Sequence, residues 1–130
     1  MPELNYVAVI VAVMAGLILS GVWYSLLSER LASLHTAYAT SGRGALPTVV
    51  VELGRNALVA LMIAGLVDRL GLSGLGDGLV LAISLWAGFP VVILAGSVFH
   101  ERVPSGLAAI HCGDWLLKLL AIGGILAGWQ

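Results

Sequence analysis

The chain has 130 residues, of which 60% are hydrophobic and 10% charged, with 17 glycines. A soluble domain carries about 25% charged residues, so this chain has too few to cover a water-facing surface, and its mean hydropathy of +1.06 is opposite to that of a disordered segment. Six Lys and Arg against seven Asp and Glu give a net charge of −1, without the basic patch that nucleic-acid binding requires.

The first apolar run, Leu4 to Leu27, has no charge between Glu3 and Glu29, and about 20 such residues span a bilayer core. Met1-Pro2-Glu3 is not a basic leader, so the run is expected to be kept as a helix. Beyond it Leu31, Leu34, His35 and Tyr38 recur at helical spacing, which predicts a short amphipathic helix at the interface over about 28–39. A second span is predicted over about 46–66, with Pro47 in its first turn. The third, about 78–98, holds Pro90 in its interior, where a proline removes one backbone hydrogen bond and kinks the helix. The fourth follows Pro104 and covers about 106–128. The expected fold class is therefore all-α: a polytopic membrane protein with four transmembrane helices in one compact bundle, the lipid bilayer being its surroundings.

Arg30, Arg43 and Arg102 lie in the loops after spans one and three, and Arg69 lies on the other side. The positive-inside rule then places both termini outside. Helix packing in lipid relies on small residues. Span one offers Ala8, Ala12, Gly16 and Ser20 at four-residue spacing, and span two Glu52, Asn56, Ala60 and Ala64. Span three offers Ser84, Gly88 and Gly96, and span four Gly124 and Gly128.

Ionisable side chains inside spans are expensive in hydrocarbon and must find partners. His111, Asp114 and Lys118 share an arc of about 60° on span four, and Glu52, Arg55 and Asn56 an arc of about 100° on span two. Glu52, Arg55, Asp114 and Lys118 sum to zero charge. Counting from Pro47 and Pro104, Arg55 and Asp114 differ in depth by about 3 Å. Arg55–Asp114 and Glu52–His111 are therefore expected to pair across the bundle, and Asp114–Lys118 along one helix. With Tyr24 at comparable depth, the expected polar cluster is Tyr24, Glu52, Arg55, Asn56, His111, Asp114 and Lys118.

Two readings compete for this cluster. It is either an ion-pair network that fixes helix register, or a binding site or proton relay in which His111, with an ordinary pKa of about 6.5, carries the proton. His111, Asp114 and Glu52 lack the ligand number and spacing of a metal site, so no metal and no cofactor are expected. Cys112 and His111 are adjacent on a helix and point about 100° apart, which does not make a nucleophile–base pair. No phosphate-binding loop, zinc-protease or hydrolase motif occurs. Trp23 and Trp129 suit the interfaces; Trp86 and Trp115 lie deeper, as packing residues.

Gly21-Val22-Trp23-Tyr24-Ser25, Leu85-Trp86-Ala87-Gly88-Phe89-Pro90, Phe99-His100-Glu101-Arg102 and Gly124-Ile125-Leu126-Ala127-Gly128-Trp129 occur in this order along the chain. Together they resemble a family of small bacterial membrane proteins, the domain of unknown function 1761. The chain carries Leu26 where a proline commonly follows the Trp-Tyr-Ser. The resemblance implies a four-helix integral membrane protein, with a bacterial cytoplasmic membrane as its expected location, and no established activity. The leading expectation is small-molecule or proton-linked transport or sensing as a homo-oligomer, for an unidentified ligand. The alternative is a non-catalytic structural or accessory subunit of a membrane complex. An intramembrane enzyme using His111 and Asp114 would lack a nucleophile or metal.

Overall fold

The computed structural model describes residues 4–35 and 44–130, and among these the regular structure is helical throughout. Six helices run in chain order: α1 Tyr6–Leu26, α2 Ser28–Leu34, α3 Ala45–Leu70, α4 Leu75–Gly88, α5 Pro90–Glu101 and α6 Ser105–Gly128. Counting α4 and α5 as one span, four stretches are long and apolar enough to cross a membrane. The protein is a multi-pass helical bundle.

Local chemistry sets the ends of these helices. Asn5 caps α1, its side chain accepting from the Ala8 N–H at 3.1 Å, which satisfies one of the first-turn donors. Span two extends to Leu70, past the expected 66, because Asp68 and Arg69 do not interrupt a helical backbone. Gly71 does: at φ 64° it ends α3 with the Leu72 N–H on the Val67 carbonyl and its own on Asp68, a Schellman arrangement. Pro90 splits span three as expected. Helix α4 ends at Gly88, Phe89 departs from helical geometry, and Pro90 opens α5.

Helix α6 is the hub. It packs against α1, α3, α4 and α5, and its N-terminal end also meets α2. The main core is built from small residues with branched ones between them: Ala8 and Ala12 of α1, Ala60 and Ala64 of α3, Ala82 of α4, and Ile122, Leu126 and Ala127 of α6. Helix α2 begins at Ser28 with Leu27 at its cap position. It buries Leu31 against Leu107 and Ile110, so it is docked on the bundle. Its expected continuation to 39, with Tyr38, falls outside the described residues.

The small-residue stripes divide into two groups. Ala8, Ala12, Gly16 and Ser20 are all buried, as are Asn56, Ala60 and Ala64. On span three, Ser84 and Gly88 are exposed, and a side chain at Gly88 or Gly96 would meet nothing within 4 Å. The face turned to α6 carries Gly78 and Ala82 instead, and the break at Phe89 removes any common face across it. Gly78 meets Gly123 and Ala127, while Gly124 and Gly128 receive Leu75.

Candidate functional site

Helices α1 and α6 run antiparallel, so residues descending along one meet residues ascending along the other. Tyr24 meets His111, with its hydroxyl 2.6 Å from Nδ1. One turn deeper, the Ser20 hydroxyl donates to Asp114 Oδ1 at 2.6 Å. Deeper again, Gly16 faces Ile122 and also Asn56 of α3. The four-residue spacing on α1 and the three- and eight-residue spacings on α6 produce this ladder.

Asp114 and Lys118 are buried, at 4% and 2% exposure. Lys118 Nζ lies 3.4 Å from Asp114 Oδ2 and 4.8 Å from the centre of the Trp115 ring. One carboxylate oxygen thus takes a hydroxyl and the other a cation. The ammonium also faces an aromatic ring, a favourable contact when desolvated. Charge pairing inside the bundle is what a low-dielectric site demands.

The charges of α3 pair with each other. Arg55 meets Glu52 at 2.5 Å. The expected Arg55–Asp114 bridge is not formed, because each charge finds its partner one turn away on its own helix. Glu52 likewise pairs with Arg55, while His111 takes Tyr24. The cross-bundle gap at this level is a cavity of about 670 Å³. Ser20, Tyr24, Thr48, Glu52, Arg55, His111 and Asp114 all line it, with Leu94 and Trp115 on its apolar side. Asn56 and Lys118 lie outside that lining. Asn56 is fully buried with neither polar atom hydrogen-bonded, and Lys118 stands behind Asp114.

A second cavity, about 520 Å³, adjoins the first and lies between α3, α4, α5 and α6. Its lining is apolar, including Leu58, Met62, Leu85, Phe89 and Leu119, and it shares Leu94 and Trp115 with the polar cavity. Among the described residues no three His, Cys, Asp or Glu side chains gather as a metal site would need.

Two tryptophans and a glycine missing from the expected cluster support it. Trp23 donates to the Ile110 carbonyl and Trp86 to the Cys112 carbonyl, both at 2.9 Å. Both grip α6 beside Gly113, where a Cβ would stand 2.5 Å from the Trp23 ring. Periodicity alone does not reveal Gly113, because its role is to make room for a side chain from another helix.

No curated protein and no solved structure is significantly similar to the chain. A family model does match, covering residues 7–127, nearly all of the described bundle. The chain belongs to the DUF1761 family, described as proteins of unknown function.

Proposed function

We propose that this protein works in small-molecule or proton-linked transport or sensing as a homo-oligomer, and that it holds the polar or ionic group of its ligand inside the membrane. The supporting observation is the cavity of about 670 Å³ whose lining includes Tyr24, Glu52, Arg55, His111 and Asp114. Its size falls within the range of ligand sites, roughly 300–1,000 Å³. Ionisable residues that line a cavity at membrane depth mark solute and proton paths. Four spans are few for a complete pathway, hence the second copy. The membrane proposed is a bacterial cytoplasmic one, and the arginine balance supports an orientation with both termini outside. An impermeant thiol reagent should then reach Ser41→Cys, in a Cys112→Ser background, only in permeabilised cells.

The cavity itself is tested with Gly21→Cys in the same background, reconstituted in phosphatidylglycerol nanodiscs. Gly21 lines the cavity, and a side chain there meets nothing within 4 Å. A charged thiol reagent should modify position 21 and leave the exposed Gly88→Cys, in the lipid zone, unmodified. Protection of position 21 would mean a dry cavity. The accessory-subunit reading would then take its place, a reading favoured by the double pairing of Asp114 to Ser20 and Lys118.

A further inference from the structure

We propose that the polar cavity and the apolar cleft form one site, and that its ligand is a zwitterionic glycerophospholipid. The headgroup sits among Glu52, Arg55 and Tyr24, and an acyl chain lies along the cleft. This inference rests on the polar-site reading above and names the class of molecule that fills it.

Adjacency is the first argument. Leu94 and Trp115 line both cavities, so the two meet at these side chains and a single molecule laid past them would reach both. A free polar solute would leave the apolar half unused, and a hydrocarbon would leave the charged half unused. A molecule with both parts fills both.

Polarity along the membrane normal is the second argument. On α3 the polar lining, Thr48 to Arg55, lies three to ten residues from Ala45, about 5–15 Å along the helix. The apolar lining, Leu58 to Leu66, lies beyond it and runs about 12 Å further along the axis. The polar part is therefore the nearer to the membrane face at Ala45, and the apolar part is the deeper. A lipid of that leaflet enters in the same sense, headgroup outward and chain inward.

The third argument is charge. Glu52 and Arg55 pair with each other, as do Asp114 and Lys118. Counting Lys118 behind Asp114, these charges sum to zero, so no excess of positive charge selects an anionic headgroup. Arg55 is 53% exposed and Glu52 24% in their side chains. A guanidinium has five N–H donors, and the bond to Glu52 occupies one of them, on NH1. The others can meet a phosphate while Glu52 accepts from an ammonium. Opposite charges side by side match a headgroup that carries both.

The test is native mass spectrometry of the full chain in detergent. It is offered phosphatidylethanolamine and phosphatidylglycerol with identical acyl chains, and diacylglycerol as the headless control. The wild type should retain phosphatidylethanolamine about tenfold better than either competitor, which is 1.4 kcal/mol of selectivity. Leu58→Trp with Met62→Trp fills the cleft at two exposed positions and should remove that retention. Leu61→Trp, exposed on the same helix outside the cleft lining, should not. Glu52→Gln, which takes away the acceptor for the ammonium and leaves the Arg55 guanidinium for the phosphate, should abolish the preference over phosphatidylglycerol. Equal retention of the two phospholipids by the wild type overturns the proposal, as does undiminished retention by the cleft-filled variant. If position 21 is still modified by the charged reagent in either case, the polar-site reading survives without its lipid. If position 21 is protected as well, both fall together.

Discussion

Gly78 of α4 and Gly123 of α6 bring two backbones into contact: a Cβ on Gly78 would collide with the Gly123 carbonyl, and one on Gly123 would lie 2.7 Å from the Gly78 oxygen. Backbone cannot move aside as a flexible side chain can. Gly78→Ala is therefore expected to lower stability by about 1–3 kcal/mol, the usual cost of overpacking. Gly65→Ala, in open space inside α3, should instead be neutral or stabilising by up to about 1 kcal/mol. Thermal unfolding in detergent compares the two, and equal losses would disprove the close contact.

The buried pair of Asp114 and Lys118 makes the second prediction. Removing one partner leaves the other charge desolvated and unpaired, at a cost of about 3–5 kcal/mol. Asp114→Asn and Lys118→Met should each cause a loss of this size. The double variant should recover much of it, since no charge is then stranded. Additive losses would show that the two groups do not interact.

Helix number, the break at Pro90 and the intrahelical Asp114–Lys118 pair were legible in the sequence, because hydropathy, a missing N–H and helical spacing are local properties. The Arg55–Asp114 pairing was expected from depth alone. Depth gives level but not lateral distance, and at that level a cavity separates the two helices. The Gly78/Ala82 and Gly123/Ala127 pairs follow the four-residue rule as well as Gly124/Gly128 does. Choosing between them requires the rotation of each helix about its axis, which a chain this rich in small residues does not encode in hydropathy.

Arg55 and Asp114 should accordingly behave as independent sites. Arg55 shares an ion pair with Glu52 and is half exposed, so Arg55→Gln should cost less than about 1 kcal/mol, as exposed pairs do. Combined with Asp114→Asn, it should add to the single losses within about 0.5 kcal/mol. A coupling of several kcal/mol in that cycle would restore the cross-bundle bridge.

Trp23 and Gly113 carry the last prediction. The indole of Trp23 is seated over Gly113 and donates to the Ile110 carbonyl at 2.9 Å. A methyl at position 113 would stand 2.5 Å from that ring, so the indole must swing away and its hydrogen bond must break. Gly113→Ala combines that loss, about 0.5–1.5 kcal/mol, with the overpacking penalty, about 1–3 kcal/mol. The two outweigh the gain of about 1 kcal/mol that alanine brings to a helix interior. Trp23→Phe loses only the hydrogen bond and some contact area. In that background Gly113→Ala should be less harmful, because a smaller ring leaves room for the methyl. Unfolding midpoints of the two single variants and the double variant give the coupling directly. If Gly113→Ala costs the same with Phe at position 23 as with Trp, the ring is not what requires the glycine.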